Sequence, residues 1–171
     1  MHKIELKPLE GIVIENIGKV SFGQHRDDVY SLLGKPINGA ATNKIFFDAF
    51  EVRIDFDEFN KVEFIEFIFG PFPEKTELSI YGINPFTIGA DKLIEILTFE
   101  NQGEIDYCEA PYSYLFLNTS IGVWREIAPK DVNWTMGDLG LTSVNQNSSQ
   151  DSEMAQNFWT IGIGVKAYYK V

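Results

Sequence analysis

The sequence contains few of the residues that most often carry catalysis or bind metals. Its 171 residues include one cysteine and two histidines, so an internal disulfide is excluded and no standard spacing of zinc ligands occurs. Catalysis through histidine would depend on His2, which we expect on a mobile terminus, or on His25, which we expect to face solvent. The sequence therefore predicts no catalytic residue, no metal site and no cofactor.

Basic residues are also scarce. Lys and Arg number 14 against 25 Asp and Glu, which gives a formal net charge of -11. Such a charge repels phosphate backbones and anionic lipid surfaces, so we expect neither nucleic acid nor a membrane as a partner. It favours encounter with positively charged proteins, so a basic protein is the partner class that we expect.

Long apolar runs are absent from the sequence. No stretch has the length of a membrane span, and the beginning, MHKIELKPLEGIVIE, has neither a secretion signal nor a cysteine for lipid attachment. A single cysteine is typical of a reducing compartment, so we expect a cytoplasmic protein. Asp106 and Glu109 flank Cys108 and oppose thiolate formation, so we expect a buried, inert thiol.

Aromatic residues, in contrast, are abundant: 14 Phe, 7 Tyr and 3 Trp. This content is typical of strand-rich packing. A chain of this length is about one domain and can bury a sizeable core. We therefore expect residues 1–171 to form a single α+β domain.

The stretch FGQHRDDVYSLLGKP predicts a short helix over residues 24–33, with an apolar stripe that begins at Val29. Asp27 and Asp28 lie in its first turns, where the helix dipole favours carboxylates. Gly34 can adopt the left-handed conformation that ends a helix, and the proline that follows prevents its continuation. These features indicate a packing unit.

Three strands are predicted next, over residues 44–49, 50–57 and 61–70. The middle one alternates strictly between apolar and charged residues, as half-buried antiparallel strands do. The third has apolar residues on both faces, which requires either a second covering layer or a bulge that shifts its register.

The same order of elements recurs more weakly later in the chain. A helix is predicted over residues 87–99, and the strands SYLFLN, IGVWREI and NFWTIGIGVKAYY follow it. We therefore predict an internal duplication, with one pseudo-repeat at about 11–70 and the other at about 84–171. Each half would place a helix across an antiparallel meander.

An insertion at about 128–156 interrupts the second pseudo-repeat. Loops of this length are usually functional or disordered. The polar composition predicts disorder over 145–152, while Trp134 and Met136 could pack against the body.

A family resemblance is carried by IGKVSFGQHRDDVYSLLGKP followed by FEVRIDFDEFNKVEFIEF. These segments resemble the helix-plus-meander module of the outer-membrane assembly lipoproteins of the BamE/SmpA type, in which a glycine precedes a short helix that ends in Leu-Gly-x-Pro. Here Gly23, Leu33, Gly34 and Pro36 stand at those positions. The resemblance spans about the first seventy residues, but the chain has no lipoprotein signal and the module is doubled. The same pattern resembles small cytosolic bacterial proteins, including immunity proteins that neutralise secreted toxins. It implies a binding scaffold and no catalytic residues.

Two motifs fit known sites only formally. Asp55, Asp57 and Glu66 match positions of a calcium-binding EF-hand loop, but Phe59 stands where an oxygen ligand is required, so we expect a hairpin turn with Phe59 at its tip. GIGVKA, at 162–167, fits a dinucleotide-binding fingerprint but opens no helix, so we expect glycines at close-packed or bulge positions in a strand.

The leading functional hypothesis is a non-enzymatic immunity protein that blocks a basic toxin with an acidic hairpin face, with an aromatic residue as the buried anchor. The predicted partner-binding residues are Glu51, Asp55, Asp57, Glu58, Phe59, Glu63 and Glu66. One alternative is a small-ligand-binding protein or a carboxylate-dependent hydrolase with a pocket between the two halves. Another is an accessory protein that binds peptides at its sheet edges.

Overall fold

The computed structural model describes residues 1–36, 42–68, 70, 72–132, 152 and 154–170. It has the predicted mixed α+β class, with helices α1 (Arg26–Leu33) and α2 (Ala90–Asn101) and a 3-10 turn at Asp48–Phe50. The strands of the described ranges are β1 (His2–Lys7), β2 (Gly11–Ile14), β3 (Gly18–Ser21), β4 (Lys44–Phe47), β5 (Val52–Phe56), β6 (Val62–Phe67), β7 (Thr76–Ser79), β8 (Ile105–Asp106), β9 (Ser113–Phe116), β10 (Ile121–Trp124) and β11 (Thr160–Gly164).

A four-stranded sheet that was not predicted occupies the beginning of the chain. Its strand order is β3-β2-β1-β7, in which β1 and β7 run parallel and the other pairs are antiparallel. Ile4 and Leu6 alternate with partly exposed residues along β1 and point into the core. The expectation that His2 lies on a mobile terminus is wrong, because its backbone N–H donates to Lys75 and its ring lies 4.8 Å from that of Phe50.

The second sheet has seven antiparallel strands in the order β4-β5-β6-β11-β10-β9-β8. The two predicted meanders, β4-β5-β6 and β9-β10-β11, meet through their last strands, where Ile163 on β11 is the register partner of Ile65 on β6. The strands predicted over 44–49, 50–57 and 61–70 are confirmed as β4, β5 and β6, with ends shifted by up to three residues. The two meanders therefore form one continuous sheet.

Both predicted helices are present and contribute to one apolar core. Val29 of α1 and Leu93 and Leu97 of α2 are buried together with inward residues of both sheets, such as Ile54. The His25 ring caps α1 by accepting a hydrogen bond from the Asp27 N–H, while Gly34, at φ 87°, ends the helix. The opening stretch is thus a packing unit, as predicted.

The β5-β6 pairing contains the irregularity predicted for the third strand. Its register shifts between Asp55 and Phe56. The outer face of β6 also has a second cover, because Tyr168 and Tyr169, which follow β11, pack against Phe64. Both predicted explanations for the apolar residues on two faces are therefore confirmed.

Neither described helix is long and apolar enough to cross a bilayer; α1 has 8 residues and α2 has 12. Most of the predicted insertion, including Trp134, Met136 and residues 145–151, lies outside the described residues.

Candidate functional site

The residues predicted to form one acidic face of the β5-β6 hairpin lie in three different environments. Glu51 and Asp55 are buried, with 4% and 3% of their surface exposed. Glu58 and Phe59 are fully at the surface. Between these extremes lie three partly exposed residues, Asp57, Glu63 and Glu66. The prediction of one continuous exposed face is therefore wrong.

Glu51 leaves the predicted face because its backbone is left-handed. Its φ of 49° follows the 3-10 turn and breaks the strand alternation. The carboxylate accepts hydrogen bonds from the backbone N–H of Glu74 at 2.8 Å, and from the N–H and hydroxyl of Thr76 at 3.0 and 2.7 Å. Burial raises the pKa of Glu51, but these hydrogen bonds outweigh it and hold the pKa below its usual value. Glu51 thus has a structural role between the two sheets.

Asp55 forms an ion pair within the fold. Arg53 lies two residues before it on the same face of β5 and donates from Nε to Asp55 Oδ1 at 3.0 Å. The Nη1 of Arg53 lies 2.8 Å from Oε2 of Glu66, its register partner on β6. Burial raises the pKa of Glu66, and the Arg53 guanidinium opposes this shift. One cation therefore lies between two carboxylates, which leaves this triad of Arg53, Asp55 and Glu66 with one excess negative charge.

The hairpin tip, residues 57–61, has the structure expected for a rigid turn. Oδ1 of Asp57 accepts hydrogen bonds from the N–H groups of Phe59 and Lys61, each at 2.8 Å. Asn60 has a φ of 59°, which asparagine tolerates better than most residues. Phe59 has 67% of its surface exposed, which confirms its predicted place at the tip.

The calcium-site interpretation is not supported. Oδ1 of Asp57 is engaged by the turn, and Asp55 is engaged by Arg53. Within the described ranges, no three His, Cys, Asp or Glu side chains are grouped so that they could hold a metal ion.

The loop before α1 braces the hairpin tip. The N–H of Gly23 donates to Val62 O at 2.8 Å, and the N–H of Val62 donates to Gln24 O at 3.0 Å. The N–H of Arg26 donates to Asn60 O at 2.8 Å. These bonds hold the β6 end of the tip against the beginning of the helix.

A groove, called here the outer groove, lies on the outer face of the seven-stranded sheet between the two predicted halves, which is where the small-ligand or hydrolase alternative expects a pocket. It has a volume of about 260 Å³ and lies across the β6-β11 pair. Arg53 and Glu66 line it from the first meander, and Ser113, Trp124 and Thr160 line it from the second. The groove is therefore built from both predicted halves.

Three glycines make room for the aromatic residues beside the outer groove. An added Cβ would lie 2.4 Å from Tyr169 Oη at Gly122, and 2.4 Å from Phe64 Cζ at Gly162. At Gly164 it would lie 2.5 Å from Tyr168 Cβ. The prediction that Gly162 and Gly164 are close-packed strand positions is confirmed. The sequence did contain a signal for this aromatic packing: the outward-facing Gly162 and Gly164 alternate with the inward-facing Ile161 and Ile163.

Cys108 is exposed, so the prediction of a buried thiol is wrong. Its backbone N–H donates to Asp106 Oδ1 at 2.8 Å, which places the thiol beside that carboxylate. A hydrogen bond to Asp106 and the negative charge of that carboxylate raise the pKa of Cys108, and Glu109 adds to the shift. Its low reactivity is therefore expected to come from charge and not from burial. His25 is exposed, as predicted.

Comparisons with protein-family models, with curated proteins and with solved structures find no match. Function is accordingly inferred from the geometry of the hairpin tip and of the outer groove.

Proposed function

We propose that this protein is a non-catalytic cytoplasmic binding protein that recognises a basic protein through its hairpin tip. The observation that carries the proposal is the exposure of Phe59 on a turn that Asp57 and the α1 loop hold in place. A large exposed aromatic side chain in a fixed position is typical of the anchors that dominate binding energy at protein interfaces.

Charge around the tip supports a basic partner. Glu58 is exposed beside Phe59, and Asp57 and Glu63 are partly exposed nearby. Burial raises the pKa of Glu63, and the charges of Asp57 and Asp55 raise it further, which is the effect of carboxylates crowded together. A cationic partner would relieve this repulsion and would be steered to the tip by the net charge of -11.

Rigidity of the tip also supports this function. Since the turn is already hydrogen-bonded at both ends, little backbone entropy remains to be lost when a partner binds. Glu51 and Asp55 are left out of the proposed surface because they are buried, so the surface consists of Asp57, Glu58, Phe59 and Glu63.

The most specific form of the proposal is an immunity protein that neutralises a basic toxin. The motivation is the resemblance of about the first seventy residues to helix-plus-meander modules, including those of immunity proteins, together with the acidic tip. Genes for immunity proteins lie beside those for their toxins, so the candidate partner is a basic protein encoded by the adjacent gene.

The direct test measures binding of that neighbouring gene product by calorimetry. We expect Phe59→Ala to weaken the complex by roughly 30-fold or more, as loss of an interface anchor does. Phe99→Ala is the matched control, because Phe99 on α2 is similarly exposed, at 72%, and should leave affinity unchanged. Absence of a complex even at low salt, or equal losses in the two variants, would contradict the proposal.

We also propose that the two meanders arose by duplication of one helix-plus-meander unit. Support comes from the strand order. Outward from the central β6-β11 pair, the first half places β5 and then β4, and the second half places β10 and then β9. Each set of three strands is preceded in the chain by a helix. Within the described residues, the 3-10 turn before β5 and the short strand β8 have no counterpart in the other half. A relative that carries a single unit and pairs with itself through the strand equivalent to β6 would support this origin.

A further inference from the structure

The outer groove is a second candidate binding site, separate in its residues from the hairpin tip. Its volume of about 260 Å³ lies just below the range of about 300–1,000 Å³ that is usual for drug-sized ligands. The groove therefore fits a molecule the size of a small metabolite.

We propose that the outer groove binds a small organic cation, one that carries a quaternary ammonium or a guanidinium group. The proposal rests on the combination of an excess negative charge, accessible aromatic surface and a concave groove at one place in the fold. None of the residues that line the groove belongs to the proposed hairpin-tip surface.

The triad of Arg53, Asp55 and Glu66 has a net negative charge. Arg53 lies between Asp55 and Glu66, so its single positive charge cannot balance both carboxylates. Glu66 has 17% of its side chain exposed and lines the groove, whereas the Asp55 side chain, at 5%, lies behind it. A cation in the groove would therefore meet a partly desolvated carboxylate, where Coulomb attraction is stronger than in bulk water.

Negative charge at the groove also raises the pKa values of two tyrosines. Burial raises the pKa of Tyr168, and Asp55, Glu63 and Glu66 raise it further against the opposing effect of Arg53. Burial also raises the pKa of Tyr169, with Glu66 adding to the shift. Negative charge thus outweighs Arg53 at both rings.

The groove also presents aromatic surface. Trp124 lines the groove with 41% of its surface exposed, and its edge-to-face contact with Trp159, at 6.0 Å between ring centroids, fixes its position. Tyr168 lines the groove on the side of Phe64, on which it is stacked at 4.6 Å. Aromatic rings next to a carboxylate are the usual means of recognising ammonium ions, by cation–π attraction.

The site already tolerates such chemistry within the protein. The guanidinium of Arg53 lies 5.5 Å from the centroid of the Phe64 ring while it pairs with Glu66. An external cation would repeat this arrangement, with Glu66, the exposed ring of Trp124 and the partly exposed ring of Tyr168.

The test is a calorimetric titration of the full chain with choline and with methylguanidinium. The comparison compound is the neutral carbon isostere of choline, the alcohol in which a tert-butyl group replaces the trimethylammonium group. We expect saturable binding of at least one cation and at least tenfold weaker binding of the isostere. Glucose serves as a neutral polyol of similar size and should not bind.

Variants then locate the site. Glu66→Gln keeps the shape and an acceptor for Arg53 but removes one negative charge, and it should weaken cation binding by about tenfold. Trp124→Ala should also weaken it, by several-fold. Glu77→Gln makes the same charge change at an exposed position on β7 and should have no effect. Near-ultraviolet circular dichroism confirms that each variant is folded.

Several results would overturn the proposal. These are failure of both cations to saturate, equal affinity for choline and its isostere, preferential binding of glucose, or equal losses in Glu66→Gln and Glu77→Gln. A protein that loses partner binding with Phe59→Ala but retains choline binding would show that the two proposals stand separately.

Discussion

The hydroxyl of Thr76 donates to Oε2 of Glu51 at 2.7 Å, and this contact joins the two sheets. Thr76 is the first residue of β7 in the four-stranded sheet, while Glu51 immediately precedes β5 in the seven-stranded sheet. Because the carboxylate also accepts the backbone N–H groups of Glu74 and Thr76, it satisfies donors that would otherwise be buried without partners.

The first prediction concerns the loss of this carboxylate. Glu51→Ala should lower the free energy of unfolding by about 3 kcal/mol, since buried donors left unsatisfied cost about 1–3 kcal/mol and bonds to a charged group are the stronger kind. Urea denaturation measures the change. Glu10→Ala, which removes an exposed ion pair with Lys19, should cost much less, because exposed ion pairs are screened by solvent. Equal losses would show that Glu51 does not join the sheets.

Glu51 and Glu66 should give opposite dependences of stability on pH. The folded-state pKa of Glu51 lies below its ordinary value of 4.5, so its stabilisation is present above that value and is lost as pH falls through the folded pKa. The folded-state pKa of Glu66 lies above 4.5, so its contribution is present below 4.5 and is lost as pH rises through the folded pKa.

The measurement compares each Glu→Gln variant with the parent across pH. The loss of unfolding free energy caused by Glu51→Gln should become smaller as pH falls. The unfolding free energy of Glu66→Gln should be most favourable relative to that of the parent above the raised pKa of Glu66. Parallel profiles for the two variants would refute these assignments.

A third prediction follows from the contact between Gly122 and Tyr169. Gly122→Ala places a Cβ 2.4 Å from Tyr169 Oη and 2.8 Å from its Cζ, which forces the ring to move and should cost about 1–3 kcal/mol. In a Tyr169→Ala background the same substitution should cost much less. A double-mutant cycle measures the coupling, and additive effects would contradict direct contact.

A fourth prediction separates folding from binding at the hairpin tip. Asp57→Ala removes the acceptor for two turn N–H groups and should lower stability by about 1 kcal/mol. Phe59→Ala should change stability by no more than about 0.5 kcal/mol because the ring is exposed. Thermal unfolding of both variants tests this, and a large loss in Phe59→Ala would show that the ring has a structural role.

The last prediction concerns the exposed thiol. Because Asp106 raises the pKa of Cys108, alkylation by iodoacetamide at neutral pH should be slower than that of an unperturbed cysteine. Asp106→Asn should accelerate the reaction, and Glu109→Gln should do so less. Mass spectrometry gives the rates, and unchanged rates in Asp106→Asn would exclude the proposed cause.

The elements with local signals could be predicted from the sequence. Capping and apolar spacing located α1, and strict alternation located β5 and the turn at Phe59. Alternation along β5 could not reveal that Asp55 is buried, because the residues that cover the outer face, Tyr168 and Tyr169, come from more than a hundred positions later.

The four-stranded sheet was missed for a related reason. Its strands β2 and β3 have four residues each, and β1 pairs in parallel with β7 across some seventy intervening residues. Pairings so distant leave no local pattern beyond the alternation of Ile4 and Leu6. Glu51 was misplaced because its own left-handed backbone, which no composition signal marks, takes this residue out of the strand alternation.

The pairing of β6 with β11 has a consequence for synthesis of the protein. β6 ends at Phe67, but its second neighbour begins only at Thr160, so β6 keeps an apolar, half-paired edge while the residues between them are synthesised. Unprotected edges of this kind invite association between chains. A fragment of the chain that ends before residue 160 should therefore aggregate more readily than a chain that contains β11.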